Sequence, residues 1–340
     1  MKIEVLMPDL PEYQEHGEFF SRELNIIGKK VNHLECYPLK DKSLIYCHDI
    51  SHWEKALLKT PEKSISVIVT ANEYYDTEKW QRINQFPSIK CVFLQYFPKP
   101  RGVNPPWIIN HIKSDLKVTL DRKFWGTLNS ARTSYKKVSK FKFQVPVHSF
   151  PLGYTDRFVR ELEKLGLLHG ENQSLINDLR TPSIIARDGV SFYGQRGTWY
   201  RRRMVENLSR LAGAKTYGYA SFGGFSTLSD KTDYSRSILE SRFVISPPGN
   251  VSSQSFRYYE IVCLGAIPII EEISIQDWNR HDYWPANVPW KNKSYSQIWK
   301  SLTKLNDIEL EQLSLDLRHK LSSELAILRK TLELAVTHDE

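Results

Sequence analysis

Short apolar runs rich in β-branched and aromatic residues alternate along this chain with stretches of mixed polarity. Ile3–Met7, Ser43–Cys47, Ile65–Thr70 and Lys90–Gln95 have the length and composition of strands, and Trp53–Leu58 and Thr77–Asn84 have helical spacing between some of them. Strands alternating with helices predict a parallel sheet covered by helices. Lys142–Val147 reads as one more strand, and the turn-forming Pro151-Leu152-Gly153-Tyr154 marks a crossing to a second unit. There the scheme repeats, with Ser183–Ala186 and Ser191–Tyr193 as strands, Thr198–Ala212 as helix, Arg242–Ser246 as strand, Phe256–Leu264 as helix and Ala266–Ile270 as strand. Leu310, Leu313, Leu317, Leu321, Leu325, Leu328 and Leu332 recur at spacings of three and four, which predicts a long C-terminal helix burying one stripe.

A chain of 340 residues exceeds what one hydrophobic core usually organises, so two α/β domains are expected, at 1–150 and 151–305, with 306–340 as a helix packed on them. The longest apolar runs, such as Ile261–Ile270, are too short to cross a bilayer, and the N-terminus reads as a first buried strand rather than a secretory signal. The four cysteines stand singly inside apolar stretches, which suits reduced thiols and a cytoplasmic chain and speaks against zinc. Peripheral contact with the inner face of a membrane stays open. A formal charge of +8 implies attraction to anions without choosing among nucleic acid, anionic lipid and nucleotide diphosphate. Its distribution says more, because Arg196, Arg201, Arg202, Arg203 and Arg210 crowd into one stretch.

The chemistry concentrates between Tyr234 and Ile270. Phe243-Val244-Ile245 runs through Ser246 into Pro247-Pro248-Gly249 and a loop of small polar residues, and a helix then begins near Ser255. Free N–H groups and the positive end of the helix dipole make such a junction an anion site, and Gly249 with the serines lets a phosphate approach closely. Arg257 enters in the first turn, where a guanidinium can clamp the same anion, and Glu260 follows one turn later on the same face. Arg257 for phosphate and Glu260 for ribose hydroxyls suit a nucleotide diphosphate. The competing reading is structural: Ser255 as N-cap, with Arg257 and Glu260 as a local ion pair.

The runs S-R-F-x-x-x-P-P-G, S-F-R-Y-Y-E and G-A-I-P-I-I, with Phe192-Tyr193-Gly194-Gln195-Arg196-Gly197 and Arg202-Arg203 upstream, resemble the signature of the exostosin-like glycosyltransferases. The resemblance covers Phe192 to Ile270. It implies a GT-B fold, two Rossmann-like domains with parallel sheets facing across a cleft, and inverting transfer of a sugar from a nucleotide diphosphate donor held by the C-terminal domain. By position, Arg257, Glu260 and Gly249 match the family's arginine, glutamate and glycine. Pro248 stands where the family has an arginine and Ile261 where it has an alanine. One positive charge near the phosphates is therefore missing, and Arg196, Arg202 and Arg203 are the candidates to supply it.

No D-x-D spacing occurs in the chain, so the usual carboxylate pair for a divalent metal is missing. The expectation is a metal-independent enzyme with no cofactor beyond its nucleotide-sugar co-substrate, a uridine diphosphate sugar, and a glycan or lipid-linked acceptor. Direct displacement needs a base. Asp49 and Glu73 follow strands that should open into the cleft, and His148 lies near the crossing. Two rivals remain: a nucleic-acid-binding protein using the basic aromatic surface around Trp199 and Tyr200, and an inactive relative serving as a partner subunit.

Overall fold

Which apolar runs become strands, and where each lies in its sheet, follows from how many of its faces are covered. The computed structural model describes residues 2–8, 17–32, 34, 37–69, 77–95, 142–168, 170, 173–193, 199–212, 215–217, 232–247, 256–270 and 293–337. Its first sheet contains β1 (Ile3–Pro8), β2 (Ile26–Val31), β3 (Leu44–Cys47), β4 (Ile65–Val69), β5 (Ile89–Gln95) and β6 (Val147–Phe150). They lie in the order β2-β1-β3-β4-β5-β6, and every neighbouring pair is parallel. Every side chain of β3 and β4 is buried, as in parallel strands covered on both faces. Edge strand β2 buries only its two end residues, and its exposed Lys29 and Lys30 discourage pairing with another chain. Helices α1 (Gly17–Glu23), α2 (Glu54–Leu57) and α3 (Thr77–Ile83) lie between β1 and β2, β3 and β4, and β4 and β5.

Beyond the crossing, α4 (Asp156–Lys164) and α5 (Leu175–Asp178) lead to a second parallel sheet. It holds β7 (Val190–Tyr193), β8 (Lys215–Tyr217), β9 (Phe243–Ile245) and β10 (Ile267–Ile269), in the order β10-β9-β7-β8. The crossovers are α6 (Trp199–Ala212), α7 (Thr232–Glu240) and α8 (Phe256–Cys263), and α9 (Tyr295–Leu302) and α10 (Asp307–Thr337) end the described chain. Numbered within itself, the second sheet has its first strand between its second and third, the same winding as the start of the first sheet. The chain is thus an α/β protein built on two parallel sheets.

Two expected strands fall elsewhere. Pro146 has no N–H for the ladder, so pairing with β5 begins only at Val147, and Gln144 turns its N–H to Asn84 Oδ1 at 3.0 Å. Residues 142–146 are therefore an approach to β6 rather than a strand. Ser183–Ala186 contains a single 3-10 turn, Ile184–Ala186, because the Ser183 hydroxyl accepts the Ile185 N–H at 3.2 Å and draws the backbone out of extended geometry.

One continuous apolar cluster runs from one face of the first sheet through α4 and α5 into the second sheet and along α10, while the opposite face of the first sheet has its own core. All seven leucines of the C-terminal stripe are buried. At 31 residues α10 spans about 46 Å. Near its start the Ser314 hydroxyl donates to the Gly265 carbonyl at 2.8 Å, and near its end the Ala335 carbonyl accepts from Ser66 of β4 at 3.2 Å. One helix thus binds both sheets. At the crossing, the Glu23 carboxylate at the end of α1 accepts from the Tyr154 hydroxyl (2.9 Å), the Ser174 hydroxyl (2.8 Å) and the Leu175 N–H (2.7 Å). Among the described residues, no helix is long and apolar enough to cross a membrane. Cys47, Cys91 and Cys263 are buried and form no disulfide among the described residues, and Cys36 lies outside them.

Candidate functional site

In an open parallel sheet, ligands bind beyond the C-terminal strand ends where the winding reverses. In the second sheet that place lies between β7 and β9, because the chain leaves β7 toward β8 and returns on its other side. The two strand ends there are Tyr193 and Ile245, which lead into the Phe192-to-Gly197 and Ser246-to-Gly249 motifs. Two strand ends about fifty residues apart in sequence are thus brought to one edge by the order of four strands.

Arg257 joins them. It lies in the first turn of α8, and its guanidinium carbon stands 5.4 Å from the centroid of the Phe192 ring on β7. The Nε of Arg257 is buried and, among the described residues, has no hydrogen-bond partner, and the Ser246 hydroxyl, 0% exposed at the end of β9, has none among them either. A buried polar group without a partner costs about 1–3 kcal/mol, so two between the end of β9 and the start of α8 call for an explanation. Both are donors, Ser246 just after β9 and Arg257 in the first turn of α8. The arrangement suits an anion.

Glu260 has a different environment. Its residue is 5% exposed, its Oε1 accepts from the Thr155 hydroxyl at 3.0 Å, and its Oε2 accepts from the Tyr234 hydroxyl at 2.5 Å. Among the described residues it forms no ion pair with Arg257, so the local ion pair is not what occupies either side chain. A second buried carboxylate, Glu161 of α4, accepts from Ser235 at 2.8 Å and from Arg157 Nε at 3.2 Å. Burial holds the Glu161 carboxyl above its usual range, the bonds from Ser235 and Arg157 oppose this, and the nearby charge of Glu260 adds to it. Burial likewise pushes the Tyr234 phenol well up, reinforced by Glu260.

The remaining candidates divide. Arg202 and Arg203 are exposed on α6, Arg203 lies 3.7 Å from Glu206, and neither bonds to Ser246, Arg257 or Glu260. The arginine of that helix that turns its Nε out of solvent is Arg201. Arg196, Gly249, Ser255 and Glu73 lie outside the described residues. Asp49 follows β3, beside the winding reversal of the first sheet between β1 and β3, where its Oδ1 accepts the Ser51 N–H at 3.0 Å and caps a 3-10 turn. His148 lies just before the crossing. It is the second residue of edge strand β6, two positions short of its C-terminal end, with its ring stacked 5.1 Å from Phe93 and burial lowering its pKa. Thr155 and Tyr234, which no local motif marks, are the residues that hold Glu260.

Among the described residues, no three His, Cys, Asp or Glu side chains gather as a metal-binding group. Compared with protein-family models and with curated proteins, the chain matches none.

Proposed function

We propose that this chain is an inverting glycosyltransferase of the GT-B type that transfers a sugar from a nucleotide diphosphate, a uridine diphosphate sugar, to a glycan or lipid-linked acceptor. The observation that carries the proposal is the pair of orphaned buried donors, Arg257 Nε and Ser246 Oγ, at the winding reversal of the second sheet. The repeated sheet winding and the helix that binds both sheets support two Rossmann-like units at about 1–150 and 151–305. In the reaction, the acceptor hydroxyl oxygen forms a bond to the anomeric carbon while the bond from that carbon to the diphosphate oxygen breaks. The electron pair leaves with the diphosphate, whose growing charge Arg257 and the N-terminus of α8 stabilise. The acceptor proton passes to a carboxylate after a strand of the first sheet, Asp49 or Glu73. Asp49 stands at that sheet's own winding reversal, which supports it in this role.

Thermal unfolding with a panel of nucleotides tests the proposal. A nucleoside diphosphate at a hundred times its dissociation constant should add about 2.7 kcal/mol, and the monophosphate should add less. Stabilisation by unrelated oligonucleotides that fades steeply with salt, with none from any nucleoside diphosphate, would replace the enzyme with a nucleic-acid-binding protein.

A further inference from the structure

Two successive residues of the crossing reach in different directions. The Tyr154 hydroxyl donates to Glu23 of α1, and the Thr155 hydroxyl donates to Glu260 of α8 at 3.0 Å while also accepting the Phe158 N–H that caps α4. Two successive residues of α7 divide in a similar way, Tyr234 donating to Glu260 and Ser235 to Glu161. Each oxygen of Glu260 therefore carries one donor, one from α7 and one from the residue that caps α4, which fixes the plane of the carboxylate. A carboxylate oxygen accepts along two directions, so each keeps one acceptor position unused by these bonds. The Tyr234 ring is itself held 5.4 Å from Tyr193, the last residue of β7, at the winding reversal. Burying carboxylates is costly, and apolar side chains of similar volume would join three helices at least as well. An aligned acceptor beside Arg257 has a use that a structural clamp does not explain.

We infer that Tyr234 and Thr155 are positioning residues that orient Glu260 to accept the ribose hydroxyls of the nucleotide, so that a residue of the crossing helps to set recognition in the second sheet. This inference rests on the donor-site reading proposed above. Neither hydroxyl touches the ligand. Each acts by denying the carboxylate other rotamers.

The test compares uridine diphosphate with its 2′,3′-dideoxy analogue by calorimetric titration of the full chain. Wild type should prefer the ribose form by about tenfold, and Tyr234→Phe should reduce that preference to about twofold while leaving affinity for the dideoxy form unchanged. Thr155→Val should act in the same direction and Thr155→Ser should restore wild-type preference, which also controls for the cap that Thr155 places on α4. Combined with Glu260→Gln, Tyr234→Phe should cost nothing further, because the two changes remove one interaction. Wild-type discrimination retained in both Tyr234→Phe and Thr155→Val overturns the inference and leaves the donor-site reading standing, as does an equal loss for both ligands. Should Tyr234→Phe melt below the assay temperature, the Thr155→Val and Thr155→Ser pair decides by the same ratio. Wild type that binds no nucleoside diphosphate overturns the donor-site reading and the inference together.

Discussion

Replacing Arg257 with alanine sets two structural terms against each other and leaves the functional one unopposed. The guanidinium lies 5.4 Å from the centroid of Phe192, within the range where a cation over a ring contributes about 0.5–1 kcal/mol, and about 2 when desolvated. Against that loss, the same substitution removes a buried Nε with no partner, a group that itself costs about 1–3 kcal/mol. The two nearly cancel, so stability should move by no more than about 2 kcal/mol. Ligand affinity has no such offset. A charge-assisted bond to phosphate contributes about 1.5–3 kcal/mol, so the nucleoside diphosphate should bind about ten- to a hundredfold more weakly. Calorimetric titration gives the affinity, and urea unfolding of the same preparation gives the stability. Arg257→Lys should recover only part of the loss, because an ammonium keeps the charge and lacks the planar fork. An Arg257→Ala protein that folds and binds nucleoside diphosphate normally refutes the reasoning, and so does one whose affinity loss is matched by a collapse in stability.

Turnover should persist in excess chelator, measured as release of nucleoside diphosphate in the presence of acceptor; loss that magnesium or manganese restores would remove the metal-independent reading. Gly153→Ala should destabilise by about 2–5 kcal/mol in denaturant unfolding, because φ is +71° there and the added Cβ would meet the Phe19 ring carbons at 2.4 Å. An unchanged midpoint would show that α1 can move away from the crossing. Glu161→Gln tests linkage. A carboxyl whose folded pKa is raised binds its proton more tightly when folded, so its contribution is fully present below the unfolded pKa and is lost as pH rises through the folded one. The melting temperature of the variant should therefore gain on wild type as pH rises from about 4 toward neutrality, and a constant difference would show that burial does not shift Glu161.

Strands in the interior of the first sheet were legible because both of their faces are covered. Leu44–Cys47 and Ile65–Val69 are apolar at nearly every position, and no helical stripe looks like that. β2 was not legible, since Gly28-Lys29-Lys30 lies on an exposed edge and extends only because β1 pairs with it. The long C-terminal helix was legible for the opposite reason, a single apolar stripe sustained over many turns. α5, four residues long, had no periodicity to read. Part of what holds it is remote: Glu23 accepts its Leu175 N–H, and Arg318 donates to the Ile176 and Leu179 carbonyls at 3.0 Å.

The candidate site divides along the same line between local and remote causes. Ser246 closes a strand and Arg257 opens the next helix, so their spacing carries their meaning, and among the described residues both emerge as buried donors without partners. The partners of Glu260 come from 105 residues before it and 26 before it, and no pattern near Glu260 announces them. Those two bonds also change what its substitution does. From the sequence alone, Glu260→Gln looks like a change in ligand affinity that leaves folding untouched, because size and helix propensity are kept. In the structure both oxygens accept from hydroxyl donors, and an amide nitrogen facing either hydroxyl sets donor against donor unless that hydroxyl turns. Among the described residues the Tyr234 hydroxyl makes no second hydrogen bond to keep it in place, whereas Thr155 Oγ1 already accepts the Phe158 N–H at 3.3 Å. The amide nitrogen should therefore settle toward Tyr234, and the loss of stability should be moderate. A stability change in Glu260→Gln is thus no argument against a ligand role. Only the difference between ribose and dideoxyribose ligands separates the two functions of the one carboxylate.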